Sequence, residues 1–484
     1  MSNLSELLPT GGGQNAVDFV ASGTLGSGVT VVLKADGTVE AVTGESYSDG
    51  TGATATFNAG TPSYNSAVYD PVNNKVIIAY EDGGDSSKGK AIVGTVSGTS
   101  ISFGTEVEFA SFVRYVSASF SVNSGKVIIG YQDRANSEKG TAIAGTVSGT
   151  SISFGTPILF NNGVTSWINV SYDATGVKTV FHFMAENVSA YGMGRVANIS
   201  GASISFGSAT IFNSATTSEI FATFSETEET CLVAYKDATG GGVGEVIAGT
   251  VSGTSISYGS SLEFKASPVD GICSSYDTTE EKWVVLFSDN NTSNYGTSFV
   301  ASISGTTVSI GTLVVFESSN VASSNTVTYN PSVSKVNAFF RKVSDSGYLH
   351  FIVGAVSGNS ITWGSSTRVE SRGATSTSSA YDSTSKQTVI ARRDSTFSTG
   401  RVNMFRNAAT VTNSADFIGI TAEAISDTAT GAVNVYGGIN EAQTGLTIGS
   451  DYYVQADGSL STTASSVKVG QAISATTINM MDLT

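Results

Sequence analysis

Few side chains in this 484-residue sequence are equipped for chemistry, and their spacing argues against most of it. There are two histidines, His182 and His350, and two cysteines, Cys231 and Cys273. Zinc fingers, His-rich metal centres and disulfide frameworks need more of these residues at closer spacing. His182 and His350 lie beside Phe181, Phe183 and Phe351 and are expected as satisfied packing residues. The cysteines are expected as small buried hydrophobes. No phosphate loop, Gly-x-Ser-x-Gly elbow or metalloprotease helix motif occurs. Acidic residues recur at Asp82, Asp133, Asp237, Asp289 and Asp394, after apolar runs. Recurrence suggests a structural task, an Asx-type turn. Calcium is the alternative, since carboxylate and carbonyl oxygens suit it, but no Asp-x-Asp-x-Asp loop is present.

A glycoside hydrolase would need a carboxylate pair near a common axis. A sialidase would add Ser-x-Asp-x-Gly-x-Thr-Trp turns and three substrate-clamping arginines. The nearest turn, Ser344-Asp345-Ser346-Gly347-Tyr348, lacks the Thr-Trp. Arg341, Arg368, Arg372, Arg392, Arg393 and Arg401 cluster late in the chain and are expected as solvated edge residues. No catalytic residue, cofactor or metal is therefore expected.

These residues sit on a repeat. Gly94 to Gly104 reads GTVSGTSISFG, and the phrase returns unchanged at Gly145 to Gly155 and with one change at Gly249 to Gly259. Weaker copies start at Ala197, Ala301 and Gly354. An aromatic landmark precedes each copy, at Tyr69, Phe120, Tyr172, Phe224, Tyr276 and Tyr329, and a seventh stands at Tyr381 with no copy after it. Each unit reads as four strands. A is rich in small residues, B is an apolar run such as Val76-Ile77-Ile78-Ala79-Tyr80, and C and D alternate and join across Ser-Gly. Four strands per unit of about 52 residues predict an all-β chain built on a seven-bladed β-propeller. The seventh unit lacks a D strand, and Ala53-Thr54-Ala55-Thr56-Phe57 is expected to supply it. That pairing would close the ring and remove both exposed edges. The expected domains are an attachment segment with a β-hairpin (1–46), the propeller (47–408) and a small C-terminal β-module (409–484).

The module reads DFIGITAEAISDTATGAVNVYGGINEAQTGLTIGSDYYVQADGSLSTTASSVKVGQAISATTI from Asp416 to Ile478. Its Phe-Ile-Gly-Ile start, Gly-Leu-Thr-x-Gly-x-x-Tyr-Tyr-Val phrase, Asp-Gly-Ser-Leu turn and Val-Gly-x-Ala-Ile-Ser-Ala-Thr ending resemble a module of bacteriophage tail-fibre-like and other virion proteins, particularly marine ones. The opening Leu-Ser-Glu-Leu-Leu-Pro-x-Gly-Gly-Gly-Gln-Asn resembles the starts of such proteins. The likeness covers about 60 residues at one end and 15 at the other. It implies a virion structural protein assembled in the host cytoplasm: a tail-fibre, tail-tip or surface adhesin, with a capsid decoration or head fibre as the alternative and a glycan hydrolase as the third. It also implies other virion proteins as partners, and a homo-oligomer, a trimer as in many fibres.

Composition fits a strand-dense binder. Charged residues are 13% against a usual share near 25%, glycine numbers 54, proline only 6, and the net charge is -16. Such a charge repels nucleic acid and anionic membranes, and points to a host surface glycan or protein as partner. No apolar run is long enough to span a membrane, and the N-terminus lacks a basic, apolar leader. Between units, the C–D turns are nearly constant, whereas the D–A and B–C connections vary. In an up-and-down unit the variable connections share one face, where recognition is expected. Arg114, Tyr115 and Trp167, in two successive D–A connections, are the candidate binding residues, because aromatics and arginines anchor interfaces.

Overall fold

A computed structural model describes residues 15–227, 229–321 and 325–481, without the side chains of 45–47 and 409–412. The chain is all-β, and its strands form several antiparallel sheets. No helix among the described residues is long and apolar enough to cross a membrane. Two compact units emerge, residues 49–407 and the flanks 1–48 with 408–484.

The larger unit repeats one meander. In the first copy, strand A is Pro62–Asp70, B is Lys75–Asp82, C is Lys88–Ser97, and the outer strand is Ser100–Phe103 followed by Val107–Ala110. A pairs with B, B with C, and C with both outer pieces, all antiparallel. The C–D hairpin closes at Ser97↔Ser100, with Gly98 at φ +57 as the first loop residue. A side chain is disfavoured there, which is why the Ser-Gly phrase recurs. In the last copy, Gln387–Asp394 pairs with Thr399–Arg406, whose outer partner is Gly50–Asn58. Arg401 faces Thr56 and Asn403 faces Thr54, so the N-terminal stretch does supply the missing strand.

Strand B is apolar on both faces because it is buried on both. Val76 through Tyr80 have no exposure. Alternate side chains serve opposite neighbours. Ile77 and Ala79 pack with Val127 and Ile129 of the second repeat, while Val76, Ile78 and Tyr80 pack with Val389, Ala391 and Met404 of the last. The A strands carry small polar residues for a different reason, since each bonds to the next. Ala118 N donates to Ser66 Oγ (2.9 Å), Val170 N to Ser117 Oγ (2.9 Å) and Ala222 N to Asn169 Oδ1 (3.1 Å). Thr223 meets Ser274 (2.7 Å), Tyr329 N donates to Ser275 Oγ (3.0 Å) and Thr326 meets Ser379 (2.8 Å). Ala67 N donates to Ser378 Oγ (3.0 Å), returning the chain of bonds to its first strand.

The flanks form one unit rather than a separate N-terminal segment and C-terminal module. Ala16–Val20 pairs with Thr430–Val435, and Thr30–Leu33 pairs with Phe417–Thr421. Val32 shares an apolar cluster with Phe417, Tyr452 and Val469. The module's own strands are short, and those from the N-terminus complete its core. The boundaries of the two units fall at 48/49 and 407/408.

The recurring aspartates act largely as expected. Asp82, Asp237, Asp289 and Asp394 each accept backbone N–H bonds from the turn after strand B. Asp133 makes no such side-chain cap. A second series, Asp70, Asp173, Asp277 and Asp382, does the same in the A–B turn. Among the described residues, no three His, Cys, Asp or Glu side chains group to hold a metal ion.

Candidate functional site

Six of the A strands begin with a bulge. The pairing with strand B slips between Ser63 and Ser66, Arg114 and Ser117, Ser166 and Asn169, Ser218 and Phe221, and Asp270 and Cys273. One residue in each slip is left-handed: Tyr64 (φ +50), Tyr115 (+50), Trp167 (+52), Glu219 (+52) and Gly271 (+62), with Ser376 (+49) in the last repeat. The sixth repeat's counterpart falls in 322–324, outside the described residues. A left-handed residue in a bulge redirects its side chain out of the strand's alternation. These residues immediately precede A-strand segments that surround a cavity of about 270 Å³, lined by Ser66, Ser117, Asn169, Ala222, Thr326 and Ser378 among others.

Arg114, Tyr115 and Trp167 come together here, with a fourth residue that sequence reasoning missed. The rings of Tyr64 and Tyr115 are 5.1 Å apart, and those of Tyr115 and Trp167 are 5.6 Å apart. The exposed Arg114 guanidinium lies 5.8 Å from the Tyr64 ring centre and 5.1 Å from that of Tyr115. Its Nε donates to the Tyr64 hydroxyl at 2.7 Å. The three rings are half-buried, and Trp167 also packs on the apolar cluster around Ile220. An arginine held over two rings keeps free donors beside an apolar shelf, a surface suited to a ligand with both hydroxyls and C–H faces. Tyr64 was legible: it stands 51 residues before Tyr115, at the repeat's own spacing.

Acids follow the aromatics around the series. Glu219 accepts from Gly271 N at 3.0 Å. Asp270 accepts from Lys236 (2.8 Å) and Asn290 (2.7 Å). Burial, reinforced by the charge of Asp270, pushes Glu219 up to about 7, against the pull of the Gly271 N–H and Lys236. The folded chain therefore holds a proton that the unfolded chain releases near the ordinary value of 4.5, and stability falls as pH rises between the two. Glu219→Gln should gain melting temperature over the parent as pH goes from 5 to 8, with the gap nearly closed at pH 5. A gap independent of pH in a thermal-shift series would refute this.

Among the late arginines, Arg392 departs from expectation, while Arg368 is exposed. Arg392 is wholly buried and pairs with Glu370. Arg368 makes a two-pronged pair with Asp345 at 2.7 and 2.6 Å, and Arg372 reaches Asp394 at 3.2 Å. A guanidinium can be buried where a carboxylate and acceptors meet its fork, and Glu370, Asn403 Oδ1 and Gly373 O do so for Arg392. The Ser344–Tyr348 turn is tied up the same way, since Asp345 also bonds His350 Nε2 at 2.7 Å. His182 is buried, but neither ring nitrogen has a hydrogen-bond partner, so it is a packing residue without the satisfaction expected of it. Burial without a partner drives its pKa down to about 3 and keeps it neutral. Cys231 and Cys273 are buried free thiols whose pKa values burial raises.

No family model matches this sequence. No curated protein matches it either. Among solved structures, a lectin from Burkholderia pseudomallei superposes with a TM-score of 0.51 at 10% identity, covering 73% of this chain and 99% of its own. An arginine-mutant form of AofleA from Arthrobotrys oligospora gives a TM-score of 0.42 at 9% identity, over 69% of this chain and 92% of that one. At such identities the likeness to the lectin is one of fold.

Proposed function

We propose that residues 49–407 form a seven-bladed β-propeller and that the chain is a non-catalytic adhesive protein of a bacteriophage particle. It binds a carbohydrate of the host surface at the rim built by Tyr64, Arg114, Tyr115 and Trp167. The observation that carries the binding role is that rim: three rings in contact and an exposed arginine, placed by bulges at one end of a polar cavity. The return of the A-strand bonds from Ser378 to Ala67 supports the propeller, as does the apolar cluster joining the first and last repeats. The virion setting rests on the tail-module resemblance, and the fold shared with a lectin makes carbohydrate the first ligand to try. The chain would act as a trimer among other virion proteins.

The test uses two alanine sets. Replacing Arg114, Tyr115 and Trp167 should reduce adsorption to host cells, and binding to host surface polysaccharide, by about tenfold or more, the scale of losing interface anchors. Replacing Thr99, Thr150 and Thr254, in the C–D turns, should leave both unchanged. If the second set lowers adsorption and the first does not, with both sets folded, the rim is not the binding surface.

One observation favours a second reading, a glycan hydrolase. Glu219, which burial pushes up to about 7, accepts from Gly271 N at 3.0 Å, next to a second carboxylate, Asp270, in the neighbouring repeat. That is the pairing of environments a general acid needs. New reducing ends on incubation with host polysaccharide, abolished by Glu219→Gln, would establish it in place of the binder.

A further inference from the structure

The residue after each left-handed position lies in one register of the A strands, at spacings of 51 to 53, and its occupants are of two kinds. The second to fifth repeats carry Val116, Ile168, Ile220 and Ile272. The sixth, seventh and first carry Asn325, Thr377 and Asn65. The polar three are neighbours, because Thr326 bonds Ser379 and Ala67 N donates to Ser378 Oγ. All except Ile272 line the cavity of about 270 Å³ that the A strands surround. The cavity therefore has a polar wall bearing two amides and an aliphatic wall. Among the described residues, no charged side chain lines it.

The polar wall lacks donors. Asn65 and Asn325 are only 8% and 9% exposed. Each turns its N–H side to the preceding repeat: Asn65 Nδ2 donates to Ser376 O at 2.8 Å, and Asn325 Nδ2 to Gly271 O at 3.3 Å. Those bonds fix which end of each amide is oxygen, and both Oδ1 atoms have no hydrogen-bond partner. A buried acceptor without a donor is unfavourable, so two of them on one cavity mark a place where donors arrive from outside. The aliphatic wall of Val116, Ile168 and Ile220 requires that the donors come on a molecule with an apolar face. The volume is just under the low end of the ~300–1,000 Å³ of ordinary ligand sites, which is room for one ring and not for a chain.

We propose that this cavity takes the terminal sugar residue of a glycan whose following residues lie on the shelf of Tyr64, Tyr115 and Trp167, and that this terminal residue is uncharged. A sugar ring carries hydroxyl donors along its edge, which meet Asn65 Oδ1 and Asn325 Oδ1, and C–H groups on its face, which meet the aliphatic wall. An acidic or amino sugar would bury its charge with no opposite charge beside it. Recognition is then end-on, because an internal stretch of polysaccharide cannot enter a cavity of this size. The inference rests on the rim being a glycan surface, and adds which part of the glycan is read and by which residues.

The full chain is tested on an array of defined oligosaccharides that end in neutral, acidic or amino sugars. Binding should sort by the terminal residue, with neutral ends bound, and extending a bound glycan by one sugar at that end should abolish it. Asn65→Val and Asn325→Val, made singly, should each weaken binding of that glycan by about tenfold or more. Valine already holds this register as Val116, so both variants should keep the parent's strand signal in circular dichroism. Asn325 belongs to the sixth repeat and the rim's rings to the first three, so its effect cannot be a disturbance of the rings. Binding to acid-ended glycans alone, binding that ignores the terminal residue, no binding on the array, or unchanged binding by both folded valine variants would each overturn the inference. In those cases host adsorption that still depends on Arg114, Tyr115 and Trp167 leaves the rim reading standing. Adsorption indifferent to those three removes the rim reading and the inference with it.

Discussion

Replacing Phe57 by alanine will destabilise the 49–407 unit by about 3–5 kcal/mol, the usual cost of removing a buried aromatic from a packed core. Phe57 is 4% exposed and meets Tyr80 edge-on at 5.3 Å. Its ring lies over Gly400, where a Cβ could not fit. The same device, an outer-strand phenylalanine over a strand-C glycine, recurs as Phe109 over Gly89, Phe160 over Gly140 and Phe264 over Gly244. Phe57 comes from the opposite end of the chain from its sheet, so its replacement tests whether the N-terminal strand is seated. Denaturant unfolding of Phe57→Ala beside Phe109→Ala should give similar losses. If Phe109→Ala pays the full amount and Phe57→Ala less than about 1 kcal/mol, the two ends do not join.

Glu370→Ala should cost a similar amount, about 3–5 kcal/mol, because it leaves a buried guanidinium without its carboxylate. Arg392 has no exposure, and burial already holds its pKa down to about 10. Asn403 Oδ1 and Gly373 O accept from it at 3.1 Å each, but neither carries a charge. Arg392→Phe combined with Glu370→Leu should recover most of the loss, since aromatic residues hold this position elsewhere. Urea midpoints of the single and double variants decide the matter. A Glu370→Ala midpoint equal to the parent's would show that the pair contributes nothing.

Arg392 also shows what could be read in advance and what could not. By residue type an arginine belongs at the surface, and that expectation failed. By register it could not be exposed. It stands in line with Tyr80, Tyr131, Phe183, Tyr235, Phe287 and Phe340, at spacings of 51 to 53, and all are buried. His182 sits one residue earlier in the same register, beside the buried Ala79 and Ala234 of other repeats. Repetition thus carried more information than residue type. It exposed the four-strand unit and the strand donated by Ala53–Phe57. Three features stayed hidden for physical reasons. The pairing of Ala16–Val20 with Thr430–Val435 joins segments with no shared pattern. The bulges depend on backbone angles that Tyr, Trp, Glu and Ser do not advertise. Tyr64 falls in a connection whose residue types vary between units, so its spacing of 51 from Tyr115, and not its residue type, marks it.

The left-handed residue at the head of six A strands has a further consequence. Its backbone shape is set by the slip in pairing with strand B, and tyrosine, tryptophan, glutamate, glycine and serine all occupy it. The strands behind it are held by other residues, the A-strand bonds and the two-sided B-strand cores. The rim is therefore a set of interchangeable letters on a fixed frame. If the rim binds as proposed, a change of ligand would need only single codons at positions such as 64, 115, 167 and 219, with repacking confined to the clusters that Tyr115 and Trp167 touch.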